Sequence, residues 1–127
     1  MKFLLLCCSD ERTINALPKP EFDLLMDEMG AYCEALRNSG HLIVGEPLES
    51  VETALTVRVR HGRPSVTDGP FAETKEQLGG FFLIQARDFN EAIQVASKFP
   101  SVRYGSMEVR PVKEMQKPAS ETEIASV

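Results

Sequence analysis

No stretch of this 127-residue sequence approaches the roughly 20 consecutive apolar residues that a membrane-crossing helix requires. The apolar start runs only from Phe3 to Cys8, and Ser9-Asp10-Glu11-Arg12 offers no small-residue cleavage site. A first β-strand is therefore expected there, not a signal peptide. Histidine occurs twice, and the three cysteines form no CxxC pair, so no metal-ligand spacing is present. Cys7 and Cys8 are neighbours that would point to opposite faces of a strand, which places them poorly for a bond to each other. Reduced, buried thiols in a cytoplasmic protein are the expectation. A net charge of −5 without a basic cluster argues against nucleic acid as a direct partner. There is no Walker loop, GxGxxG or GxSxG, so nucleotide-cofactor and serine-hydrolase readings have no support, and no cofactor is expected.

What is present reads as one α+β domain. Lys2–Ser9 is continuously apolar through Cys8, the pattern of a strand buried on both faces. Asp10–Leu17 reads as a polar connection. Pro18 and Pro20 then introduce a helix whose stripe is Phe22, Leu25, Met26, Met29, Cys33 and Leu36, with Gly40 as its stop. That stripe assigns Met26 and Met29 to the core. Leu42–Leu48 is a second strand. Leu55, Val57 and Val59 alternate with Thr56, Arg58 and Arg60, and His61-Gly62 is a two-residue turn into Arg63–Thr67. Phe81–Ala86 is again apolar on both faces. Asp88 and Glu91 form a capping box for a short helix burying Phe89, Ala92, Ile93 and Ala96, and Ser106–Val112 is the last strand.

With the hairpin set aside, the order is β-α-β-β-α-β, the ferredoxin-like split βαβ arrangement. Two helices cover one face of such a sheet, yet Lys2–Ser9 and Phe81–Ala86 are apolar on both. A second copy of the sheet is the simplest cover, which predicts a homodimer.

The segment Asp68–Gly80, DGPFAETKEQLGG, carries the functional signal. Asp68 can bond the backbone two residues on, Gly69 permits positive φ and Pro70 fixes the next φ, which makes a stiff corner. Phe71 can anchor the loop, Glu73, Lys75, Glu76 and Gln77 crowd it with polar groups, and Gly79-Gly80 permits close approach of a backbone or ligand. A rigid solvated turn is the bland alternative. Long loops that are stiff at both ends more often carry function.

From Val66 to Ile84 the sequence resembles the signature of the DGPF proteins of the YCII-related superfamily, a bacterial group. The resemblance extends to Met1–Leu6, to Thr56–Arg63 and to Gly105–Val112, covering nearly all of residues 1–112. It implies a ferredoxin-like domain over 1–112 that dimerises into an α+β barrel; Lys113–Val127, polar and unpatterned, reads as a flexible tail. It also implies an active site with a His–Asp pair. Lys19-Pro20-Glu21-Phe22 places Phe22 where that histidine would stand, so the dyad lacks its base. Members are associated with extracytoplasmic-function sigma factors, which implies a regulatory or accessory role as the alternative to ligand chemistry.

The resulting expectation is a pocket with Asp68 at its mouth, orienting or deprotonating a small polar ligand, and with Gly69, Pro70, Phe71, Glu73, Lys75, Gly79 and Gly80 around it. His41 could meet Asp68 across the sheet and form a general acid/base pair. His61 fits a solvated turn. Arg58, Arg60 and Arg63 could hold an anion or could simply form a wet strand face.

Overall fold

The computed structural model describes residues 1–115, and the expectation of a flexible tail lies, apart from 113–115, outside the described residues. Six strands and three helices follow in the order β1 (Lys2–Ser9), α1 (Glu11–Asn15), α2 (Lys19–Asn38), β2 (Leu42–Pro47), β3 (Leu55–Arg60), β4 (Arg63–Asp68), β5 (Gln77–Gln85), α3 (Phe89–Ser97) and β6 (Gly105–Pro111). Single-turn 3-10 helices precede β3 and β6.

Four strands form an antiparallel sheet in the order β2-β5-β1-β6. This is the split βαβ topology, and its two central strands are β1 and β5, the two with apolar residues on both faces. One face carries the core: Phe3, Leu5, Phe82 and Ile84 pack with Leu36 of α2, with Ala92, Val95 and Ala96 of α3, and with Phe99. The Phe82 and Phe99 rings stack at 4.3 Å, and Tyr32 meets Phe99 edge-on at 4.7 Å while donating its hydroxyl to the Val95 carbonyl at 2.7 Å. Among the described residues, no α-helix packs on the opposite face. There Leu4 pairs with Leu83 and Leu6 with Phe81, all four half-buried.

β3 and β4 form a separate two-stranded sheet closed by His61 (φ 53°) and Gly62 (φ 74°). Both residues occupy the left-handed region that a tight two-residue turn demands. At the other end of β4, Gly69 (φ 93°) turns the chain, and its N–H donates to the Ala54 carbonyl at 2.7 Å.

Four expectations need correction. The connection after β1 holds α1, because the Asp10 side chain accepts the Arg12 N–H at 3.0 Å and caps a turn. β5 starts at Gln77 and not at Phe81: Leu78 and Gly80 pair with Cys8 and Cys7 across a bulge. In α3 the buried residues are Ala92, Val95 and Ala96, while Phe89 and Ile93 are exposed, so the buried stripe is rotated. The capping box forms with Asp88 accepting the Glu91 N–H at 2.8 Å, but Glu91 reaches back to the N–H of Arg87, one residue further than Asp88.

Candidate functional site

A cavity of about 520 Å³ opens between α2 and the ends of β1, β2 and β5 on the helix-covered face. α2 contributes Met26, Met29, Gly30 and Cys33, and the sheet contributes Cys7, Gly45, Gly80 and Phe82. Ser9, Glu11, Asn15, Ser50 and Ser101 supply polar groups around this largely apolar lining. One lining position on α2 is a glycine. Gly30 lies in the middle of the 20-residue α2, and a Cβ placed there would meet nothing within 4 Å apart from its own helix. Glycine inside a helix costs about 0.5–1 kcal/mol relative to alanine, so this position leaves space at the expense of helix stability.

The polar end of the cavity is ordered by hydrogen bonds. The Cys7 thiol donates to Ser101 Oγ at 3.3 Å, linking β1 to the turn before β6. The Glu11 carboxylate accepts the Ser50 hydroxyl and the Val51 N–H, both at 2.9 Å, while its own N–H donates to Gln77 Oε1 at 3.0 Å. Each Glu11 oxygen therefore has one partner and keeps a lone pair free. Burial pushes the Cys33 thiol up, with Arg37 partly offsetting it, so this thiol faces the cavity in its neutral form at neutral pH. Among the described residues, no group of three histidine, cysteine or acidic side chains stands close enough to hold a metal ion.

The signature segment is divided between two surfaces. Gly79 and Gly80 line the cavity under α2. Gly80 also serves strand packing, since a Cβ there would stand 3.1 Å from the Glu46 carbonyl oxygen. Gly69, Pro70, Phe71 and Glu73 line a second cavity on the helix-free face, of about 770 Å³, together with Cys8, Glu76 and Glu108. Asp68 and Lys75 line neither. Asp68 is the exposed last residue of β4, paired with Leu55 and directly followed by Gly69, which does line the second cavity. His41 does not pair with it. The His41 ring sits at the start of β2 between Ser39 Oγ, 2.7 Å from Nδ1, and Glu91 Oε1, 3.3 Å from Nε2. Phe22, in the second turn of α2, is partly exposed and lines neither cavity.

Sequence reasoning missed Glu11, Gly30 and Ser101, and it placed Met26 and Met29 in a filled core. Met29 does pack against the core, while also bordering the cavity; Met26 borders the cavity and is exposed. Periodicity reports which side of a helix turns inward but not whether the space is filled. The available signal was Gly30 itself, a glycine inside a helical pattern, which usually has a packing or functional reason. The three cysteines are free but half-buried, not fully buried.

Residues 1–116 match the family model described as the YCII-related domain. An uncharacterised protein of Rhizobium meliloti (strain 1021) is 37% identical over 114 residues, covering 88% of this chain and 92% of that protein. Among solved structures, the 5-chloro-2-hydroxyhydroquinone dehydrochlorinase of Burkholderia phenoliruptrix AC1100, in complex with 2,5-dihydroxybenzoquinone, is similar with a TM-score of 0.52 at 18% identity. That similarity extends over 91% of this chain and 96% of the enzyme's chain, and at such identity it concerns the fold. No helix among the described residues is long and apolar enough to cross a membrane.

Proposed function

Because the chain belongs to the YCII-related domain family, we propose that it binds a compact, flat organic ligand in the cavity under α2, apolar across its body and polar at one edge. The observation that carries this reading is Gly30, a mid-helix glycine whose missing side chain leaves the cavity open. Met26, Met29 and Phe82 supply soft and aromatic walls for a ring, and Ser9, Asn15 and Ser101 supply hydrogen-bonding groups at the polar end. The similar dehydrochlorinase supports the ligand class, since 2,5-dihydroxybenzoquinone is a flat six-membered ring with oxygens on its edge. Glu11, held on both oxygens but with lone pairs to spare, is the cavity group suited to take a proton from such a ligand.

The test is calorimetric titration with 2,5-dihydroxybenzoquinone and a panel of substituted phenols, on the native chain and on Gly30→Leu. Binding by the native chain and its loss in the variant are expected. A panel without binders, or binding that Gly30→Leu leaves intact, overturns the reading.

We further propose that the chain acts as a homodimer through its helix-free face. Leu4, Leu6, Phe81 and Leu83 form a contiguous apolar surface on two central strands, with no α-helix over it among the described residues. Sedimentation at 14.1 kDa at micromolar concentration sinks this proposal.

A further inference from the structure

Among the described residues, the β3–β4 hairpin shares no substantial contact with any other element of its own chain. Its two faces are chemically distinct. One carries Leu55, Val57, Val59 and Val66, each between 58% and 64% exposed. The other carries Arg58, Arg60 and Arg63, none of which has a carboxylate partner among the described residues. An exposed two-stranded sheet with an apolar face is marginally stable by itself and needs something to pack on.

A surface of matching chemistry lies on the helix-free face. The second cavity has Cys8 and Leu78 among its lining residues, so it continues the row Leu4, Leu6, Cys8 along β1. The signature loop walls it, with Phe71 82% exposed at its rim. Its charged lining is acidic: Glu52, Glu73, Glu76 and Glu108. Glu108 is paired with Arg110, and Glu76 accepts the Ser106 hydroxyl at 2.5 Å, but Glu52, Glu73 and Glu76 have no cationic partner among the described residues. The Cys8 thiol senses this field: burial first, then Cys7, Glu76 and Glu108, push it up. Lys75 is the one cation of the loop between Asp68 and Leu78 and lies outside the cavity lining.

We infer that the hairpin of one copy lies in the acidic groove of a second copy, its valines on the helix-free apolar face and its arginines against Glu52, Glu73 and Glu76. Two-fold symmetry makes the exchange reciprocal, each copy giving an arm and receiving one. The inference rests on the homodimer proposed above and goes beyond it by naming the arm and its receptor. It also gives the signature loop a role in assembly, with Phe71 covered by the partner's hairpin. Charge complementarity favours a second copy over another occupant, because the arginines of the hairpin and the carboxylates of the groove stand on the same chain and are not paired with each other within it.

The test uses two charge-reversed full-length chains, R58E/R60E/R63E and E52R/E73R, studied by sedimentation equilibrium alone and mixed. All five side chains are on exposed or half-exposed positions, and circular dichroism with thermal melting checks that both variants fold. The native chain is expected to dimerise, and each variant alone to self-associate at least about tenfold more weakly. An equimolar mixture should regain a native-strength dimer, since the heterodimer matches charge at both arms. A native dimer whose variants are unchanged, or whose weakened variants are not rescued by mixing, overturns the arm and leaves the dimer standing. Binding by a region of a sigma factor that only the native groove supports, without self-association, also overturns it. A monomeric native chain removes dimer and arm together.

Discussion

His41 Nε2 lies 3.3 Å from Glu91 Oε1, joining the residue before β2 to the first turn of α3. The same carboxylate accepts the Arg87 N–H at 3.0 Å and meets the Arg87 guanidinium at 3.0 Å. The backbone bond from Arg87 is the main cause that holds Glu91 below the usual carboxylate range, with burial opposing and the Arg87 and His41 charges adding to it. A depressed folded pKa contributes stability that is present above the unfolded value, about 4.3 for glutamate, and is lost as pH falls through the folded value. Glu91→Gln should therefore melt below the native chain at neutral pH, with the gap closing as pH drops below about 4. Melting curves across that range check it, and a gap that widens on acidification contradicts the assignment.

Gly30→Leu should separate stability from binding. Leucine is a better helix former than glycine by about 0.8 kcal/mol, and its Cβ meets no neighbour outside the helix, so the melting temperature should hold or rise. The longer side chain then occupies the cavity, and affinity for a planar ligand should fall. Thermal melts run beside the titrations read both effects.

Gly45 behaves in the opposite way. A Cβ there would stand 2.5 Å from Cδ1 of Phe82 and 3.3 Å from the Phe81 carbonyl oxygen. The Phe82 ring is itself stacked on Phe99, so it has little room to retreat. Gly45→Ala should cost about 1–3 kcal/mol as overpacking. Gly79→Ala, whose nearest neighbour is the Cys7 carbonyl oxygen at 3.9 Å, serves as the mild control in the same denaturant titration.

Asp68 and Gly69 should respond unequally. Asp68 is exposed and lines neither cavity, so Asp68→Ala should stay within about 0.5 kcal/mol of the native chain and leave the ligand titration unchanged. Gly69 holds φ at 93°, so Gly69→Ala should destabilise by roughly 1 kcal/mol or more. A ligand titration abolished by Asp68→Ala would return the site to the signature corner.

The outline of the fold was legible in the sequence because its signals are local. Alternation in Leu55–Arg60, the helical stripe of α2 and the Asp88 cap each depend on residues within a few positions. The continuous apolar character of β1 and β5 also marked them as strands covered on both faces, which agrees with their central place in the sheet. α1 was missed because five residues give too short a pattern to show a period.

The candidate site was legible only in pieces. The glycines and the signature corner stand out in the sequence, but which face each one serves does not. A bulge opposite Cys7 and Cys8 and the alternation of β5 send Gly80 to the helix side, while the loop before β5 walls the helix-free side. His41 likewise has a chemistry set by its sequence and a partner set by its place. The local pattern determines what each segment becomes, since backbone sterics and side-chain period act over a few residues. Which side chains share a cavity, and that Glu91 rather than Asp68 meets His41, was decided by sheet register and helix packing, which bring together residues from opposite ends of the chain.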